Sequence, residues 1–420
     1  MHNYVLLFMT LMYVSSLPAF CVGQHDRCGR IQAELLYWSI GKTDRAIPLV
    51  TSASLADNLP GALNQPGTQV VLSSCAVSLQ HHLGFSFTGD LFVDVCKCID
   101  LEMSYVLLPQ QRIQRSLTTS GQPGSPNFAV PVFDTTGVWG LNGIPGETIA
   151  VLPGPLTPEP GFYGQFDLSG TTQFQNAELL LLHRLSESPR LALACSGGFG
   201  WMQFKESLIF SGKTHTVANA TIPFDFFNFT DCFATKNNFF GLLCGLRAEC
   251  MCTAWKFRMI LNGGIGLMRN DRTVNGSSQT AAGNLFFLTA HTADQELDGG
   301  IFTQPSNIGR CRKYRLGGTV EATVRVGIMI RNRIELFLGY NLIALTSVAR
   351  AADQICRNIN STRTSLAQAS RETVGIGPGP IPFGMPAAAP IASGDTSPQS
   401  LFATKNFLTQ GLIAGFMISF

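Results

Sequence analysis

Between Glu321 and Arg331 every second residue is aliphatic or small. Ala322, Val324, Val326, Ile328 and Ile330 share one parity, and Glu321, Thr323, Arg325, Gly327 and Arg331 share the other. Successive side chains of a strand point to opposite faces, so the segment predicts a strand with one apolar and one polar side. After Arg331-Asn332-Arg333 the alternation resumes, with Ile334, Leu336, Leu338, Tyr340 and Leu342 opposite Glu335, Phe337, Gly339 and Asn341. The turn keeps parity, and the two strands form a hairpin with a continuous aliphatic band. A soluble hairpin buried on both faces would not set Glu321, Arg325 and Glu335 opposite that band.

The pattern recurs. Leu83, Phe85, Phe87, Leu91 and Val93 alternate with Ser86, Thr88 and Asp90, and Ile99, Leu101, Met103, Tyr105 and Leu107 with Asp100, Glu102 and Ser104. Phe240, Leu242, Cys244, Leu246 and Ala248 alternate with Gly241, Gly245, Arg247 and Glu249. Trp255, Phe257, Met259 and Leu261 then alternate with Lys256, Arg258 and Asn262. A less regular hairpin runs from Asn176 to Leu185 and from Leu191 to Met202, and residues 31–40 predict the first strand. The last, Asn406 to Phe420, carries Leu408, Leu412, Ala414, Phe416, Ile418 and Phe420 on one face. With no turn after it, this strand must close against an earlier one.

These segments predict ten strands, with twelve as the alternative. The connections at about 41–81, 109–172, 211–237, 270–317 and 346–404 are long, polar and rich in Gly and Pro, and the four between them are short. That rhythm matches an antiparallel transmembrane β-barrel with long outer loops and short periplasmic turns. Helical periodicity is confined to about Ala349 to Arg371, and the Pro-, Gly- and Ala-rich run that follows predicts a mobile last loop, about 346–404.

Composition sharpens this picture. Charged residues are 13% of the chain, against about a quarter in ordinary globular domains, while Gly (42) and Phe (30) are abundant. The net charge of +2 offers no basis for neutralising nucleic-acid phosphates. Met1 to about Gly23 has the apolar core of a secretory signal peptide, without a Lys or Arg before it. Residues 24–420 show no composition break and predict one barrel domain.

Several stretches together resemble a known family: AELLYWSIG, IPLVTSAS, PGTQVVL, NNFFGLLCGLRAE, LNGGIGLMRN with NGSS after it, ELFLGYNLIALTSVARAADQI and NFLTQGLIAGFMISF. In this order, from about Ala33 to Phe420, they resemble the planctomycete secreted proteins described as putative β-barrel porins. The resemblance implies an outer-membrane barrel contacting outer-membrane lipid, porin-like passage of small solutes, and a terminal strand read by the barrel insertion machinery. Leu412, Phe416, Ile418 and Phe420 would carry that signal. The alternative is a structural or adhesive surface barrel that acts through its long loops, its lumen filled and non-conducting. The cysteines are not part of the family pattern.

No catalytic motif is present: no nucleophile elbow, zincin helix or Walker loop occurs, and the histidines are scattered. The reading is therefore a non-enzymatic, monomeric barrel with no cofactor and no metal. Twelve cysteines occur, and all but Cys21 would outlast signal removal, an odd number whose pairing stays open. Two C-x-C pairs, Cys96 with Cys98 and Cys250 with Cys252, would need to converge to hold a metal, which separate turns disfavour. Candidate lumen-facing residues are Arg247, Glu249, Lys256, Arg258, Glu321, Arg325, Glu335 and Asn341. They either line a solute path or fill a narrow barrel as paired charges, and ten strands favour the second because eight are already filled by side chains.

Overall fold

The computed structural model describes residues 29–41, 45–77, 81–93, 99–139, 143–156, 159–188, 190–220, 225–252, 254–281, 295–330, 333–368 and 391–420. The signal peptide, Cys28, Cys96, Cys98, the Arg331-Asn332 part of the turn and the centre of the last loop lie outside them.

Among the described residues ten long strands form a ring. They are β1 (Gly29–Ile40), β2 (His82–Phe92), β3 (Ile99–Thr119), β4 (Glu159–Glu187), β5 (Leu191–Thr216), β6 (Phe226–Cys252), β7 (Trp255–Thr280), β8 (Gly309–Ile330), β9 (Ile334–Val348) and β10 (Lys405–Ser419). Each pairs antiparallel with its neighbours in sequence. The ring closes where β10 lies between β9 and β1, with Ile334 opposite Ile418 and Ile31 opposite the same residue on the other side. No edge is left on the ring, which is what a strand-built membrane protein requires. Among the described residues no helix is long and apolar enough to cross a membrane.

The outward parity in the lower part of the wall is apolar. Leu35, Leu83, Phe199, Leu242, Met259, Leu338 and Leu412 are all exposed. In water such a belt would be unfavourable; in lipid it is the expected surface.

Several strands are much longer than the sequence rhythm indicates. β4 has 29 residues and β6 has 27, where about 9 to 11 cross a bilayer. Residues 109–119, 159–172, 211–216, 226–237, 270–280 and 309–317, expected in loops, continue the wall above the apolar belt. The connection between β5 and β6 accordingly shrinks to 217–225. These extensions were hidden because their hydrophobic phase is reversed. On β6, Phe240, Leu242 and Leu246 point outward in the belt, whereas Phe227, Phe229, Phe233 and Phe239 above it point inward and are buried. The switch falls between adjacent Phe239 and Phe240.

The inward face of the extensions needs cover, and the loops supply it. Residues 48–53 pair with 69–73 and 127–129, and 131–134 pair with 146–149 and 358–359. These two small sheets put Leu49, Val50, Val130 and Val132 into one buried cluster with the wall residues Phe166, Phe210, Phe229 and Phe233. The expected mobile loop 346–404 is corrected in part. Residues 346–348 complete β9, Ala349, Ala351, Ala352 and Ile355 are buried, and the expected helix is reduced to short turns at Ala352–Gln354 and Ser361–Arg363 with one helical turn after them.

A folded barrel of this kind migrates faster on a gel before boiling than after. Phe174 is fully buried against Trp38 and Phe407, so Phe174→Ala is expected to lower unfolding stability in micelles by about 3 to 5 kcal/mol. The shift between the two gel forms, followed against urea, measures it.

Candidate functional site: the barrel lumen

The side chains that face inward at the turn end of the barrel are charged, and they meet across the lumen. Glu249 of β6 receives Arg258 at 2.7 Å and Lys256 at 2.8 Å, both from β7. The same two cations reach Glu335 of β9 at 3.8 and 3.5 Å. Arg30 at the start of β1 contacts Asp90 at 2.9 Å and lies 3.8 Å from Asp100 and 3.9 Å from Glu249. Arg247 donates both bonds of one amino group to Glu102, at 2.7 and 2.8 Å. Arg325 pairs with Glu34 at 2.8 Å and donates to Gln32 at 2.8 Å. The Asn341 amide donates to Glu321 at 2.8 Å and to Thr323 at 2.7 Å.

All eight lumen candidates therefore sit on the inward parity; Glu249, Lys256, Arg258 and Glu335 are joined directly, and Arg247, Arg325 and Glu321 pair in separate small groups beside them. Parity places them. Each lies on a strand whose opposite face meets lipid, so the polar side is forced inward. Missed were the partners Arg30, Glu34, Asp90, Asp100, Glu102 and Arg184, although Asp90, Asp100 and Glu102 show the same alternation. Applying the inward rule to every hairpin, and starting β1 two residues earlier, would have found them.

The network is buried at its centre and half-buried at Arg30, Glu249 and Lys256. The side chain of Glu335 is 1% exposed and that of Arg258 is 4%. Above it comes an apolar layer: Leu36, Trp38, Leu108, Phe174, Phe204, Phe239 and Phe407 form one buried cluster inside the ring. Phe204 and Phe407 stand 4.5 Å apart between ring centres. Gly200 and Gly264 leave the space that the inward Leu243 side chain fills, since a Cβ at either position would collide with it.

The third layer ties the loops down. Arg350 donates to both oxygens of Glu206, at 2.9 and 3.0 Å, and lies over the rings of Phe204 and Phe407. Burial opposes the Arg350 charge, but the adjacent Glu206 carboxylate outweighs it and holds the guanidinium above its ordinary pKa. Asn237 donates to the Ala349 carbonyl and accepts from the Ala349 amide, at 2.9 and 2.8 Å. Asp231 accepts from the amides of Ile301, Phe302 and Thr303 at 2.9 to 3.2 Å. Among the described residues, inward side chains are thus packed against one another at three successive levels.

Among the described residues the cysteines do not assemble a centre. Cys195 and Cys244 lie on the lipid-facing parity, and Cys195, Cys232, Cys244, Cys250, Cys252, Cys311 and Cys356 are free thiols. Among the described residues no cluster of His, Cys, Asp and Glu has the geometry to hold a metal.

A family model described as Putative beta barrel porin-7 (BBP7) matches residues 31–378. The chain belongs to the BBP7 family. As a BBP7 member it is an outer-membrane β-barrel with a porin-like role. The match begins in β1 and stops before β10, so the closing strand is seen from the ring alone. No curated protein matches the chain. Among solved structures it is similar to the outer-membrane protease OmpT of Escherichia coli, at 10% identity and TM-score 0.38, covering 93% of this chain and 97% of that one. It is also similar to a FadL homologue of Pseudomonas aeruginosa, at 8% identity and TM-score 0.21, covering 94% and 90%. A variant of the monoaromatic hydrocarbon channel TodX gives 7% identity and TM-score 0.23 over 94% and 91%.

The charge network makes a sharp prediction. Asp90 and Glu102 face each other across β2 and β3, and Asp90 keeps Arg30, so Arg247→Met leaves Glu102 as the buried carboxylate without its cation. Urea unfolding should show a loss of about 3 to 5 kcal/mol, and adding Glu102→Leu should recover most of it, because replacing both partners is close to neutral.

Proposed function

We propose that this BBP7 barrel rests closed and passes small solutes only when the loop layer is displaced. The observation that carries the reading is the burial of inward side chains at all three levels, above all the Arg350–Glu206 pair standing directly over Phe204 and Phe407. The anchors themselves are reversible contacts: one ion pair holds Arg350 to Glu206, and hydrogen bonds hold Ala349 to Asn237 and residues 301–303 to Asp231, beside the apolar packing of the loops on the wall. The eight lumen candidates act in this reading as a neutralised gate at the turn end, not as selectivity groups in an open pore. The barrel is one domain, monomeric, non-enzymatic and exported by a signal peptide ending near Gly23.

A second reading, a structural or adhesive barrel that never conducts, is favoured by the size of the loop assembly. Planar bilayers separate the two. The native protein should show no steady open level, and Asp231→Ala, which releases residues 301–303, should raise the frequency of discrete openings. A steady open state in the native protein would remove the closed reading, while silence from both proteins would favour the adhesive one.

We also assign Leu412, Phe416, Ile418 and Phe420 as the signal read by the insertion machinery; the first three are exposed on the lipid face of β10 and Phe420 is exposed just beyond its end. As packing alone a Phe side chain contributes about 1.5 to 3 kcal/mol, which a large barrel survives. Phe420→Ser is expected to lower the amount of inserted barrel well below that of the buried-lumen control Phe337→Ser, with the inserted fraction still heat-modifiable. Equal amounts of the two in isolated outer membranes would refute the assignment.

A further inference from the structure

Just above the apolar belt, the outer wall of β4 to β8 carries a cleft of about 600 Å³ whose lining includes Lys205, Lys236, Arg269, Asp271, Arg310 and Arg312. Strand register arranges these residues in rows. Trp201, Phe240, Leu267 and Leu316 make the last apolar row. The next outward row is Gln175, Gln203, Asn238, Arg269 and Tyr314, and the one above it is Gln173, Lys205, Lys236, Asp271 and Arg312. Above that, Arg310 lies opposite Thr273. Two residues advance a strand by roughly 6.6 Å, so with the usual tilt these rows stand about 5 to 15 Å beyond the belt, at and just above headgroup level.

The charges on this face do not cancel. Asp271 is shared by Arg269 at 2.9 Å and Arg312 at 2.5 Å. Lys205 and Lys236 are direct cross-strand partners, a like-charge arrangement that is unfavourable without an anion between them. Among the described residues neither lysine nor Arg310 has a carboxylate partner. Glu206, the nearest acidic neighbour in sequence, points inward to Arg350. Cations of this geometry, beside Gln173, Gln175 and Tyr314 as neutral hydrogen-bond groups, match a phosphate that carries acyl chains alongside Phe240, Leu267 and Leu316.

We propose that this cleft binds the phosphorylated headgroup of an outer-leaflet lipid. The proposal rests on the outer-membrane reading and adds to it a specific lipid subsite. It also accounts for the paired lysines: an anionic headgroup converts a repulsive cross-strand pair into a bidentate clamp.

The test uses the full barrel in phosphatidylcholine vesicles, with or without a bisphosphorylated glycolipid, and compares the native protein with Lys205→Gln/Lys236→Gln/Arg269→Gln. Retained lipid is counted by native mass spectrometry and the thermal midpoint by heat-modifiability. Each cation beside an anionic lipid surface contributes enough that removing three should weaken retention about a hundredfold. The glycolipid should raise the midpoint of the native barrel and not that of the variant. Lys236→Gln alone should lose about fivefold, which keeps the test decisive if the triple variant folds poorly. The control Lys213→Gln/Arg363→Gln, away from the cleft, should retain lipid as the native protein does. Equal retention by the native and triple-variant barrels would overturn the site, and equal stabilisation by inorganic phosphate alone would overturn the lipid in favour of a free anion. Failure of the native barrel and the control to enter either vesicle would overturn the outer-membrane reading and the proposal with it.

Discussion

A ring of ten strands is too narrow for its inward side chains to ignore one another, and that constraint organises the molecule. Every inward residue of the lower wall must either meet a partner across the lumen or leave a void. The chain meets it mainly with charges in register: Glu34, Asp90, Asp100, Glu102, Glu249 and Glu335 each have a cation within reach, while Glu321 accepts from the Asn341 amide. Such pairs contribute little net stability, since desolvating each ion costs several kcal/mol, and apolar residues of equal volume would hold the ring as well. Their effect is on register. A one-residue slip of β7 would turn Lys256 and Arg258 toward lipid, where a cation costs about 2 to 4 kcal/mol at the midplane. The network therefore specifies which face of each strand is inside more strongly than it stabilises the ring.

The same wall passes through two solvents, and its side chains answer both without changing parity. Within the bilayer the outside is apolar and the inside polar; above it the outside is polar and the inside apolar. On β5 the outward set changes from Phe199 and Trp201 to Lys205, Ser207 and Lys213, while the inward set becomes Phe204, Leu208 and Phe210. The backbone continues unbroken across this boundary, because the hydrogen-bond ladder is indifferent to which side is greasy. Only the pattern of side chains records where the membrane surface lies.

That inversion explains what could be read from the chain and what could not. Strand number, the lipid-facing parity of Leu338 or Leu412 and the inward parity of Arg258 or Glu335 all follow from period-two alternation within the belt. The extensions obey the same alternation with opposite phase. Sought as apolar-out strands, FFNFTDCFATKNN and the segment KESLIFSGKTHT look like polar loops punctuated by aromatics. The adjacent Phe239 and Phe240 mark the switch and were legible as such. The ion-pair partners of the lumen were less so, since which cation meets which carboxylate depends on ring closure between strands such as β1 and β8, almost three hundred residues apart.

Loop length and strand length are complementary around the ring, and this accounts for the loops packed inside the tall wall. β9, β10, β1 and β2 have 15, 15, 12 and 11 residues, while β4 to β7 have 26 to 29. One side of the barrel thus stands tall with an apolar inner face, and the other stops soon after the membrane. The loops joining short strands, 41–81 and 349–404, are long, whereas the one joining the tall strands β5 and β6 spans only 217–225. Chain absent from the short side of the wall reappears as Leu49, Val50, Ala351 and Ile355 packed on Phe166, Phe210 and Phe229. Without those loops the tall wall would expose a sheet of phenylalanines to water, at about 25 cal/mol for each Å² left uncovered. The plug is therefore a requirement of the wall's own solubility before it is a gate. Any opening that admits solute must keep the tall wall covered, which directs the motion toward the anchors at Arg350 and Asp231 rather than toward release of the whole assembly.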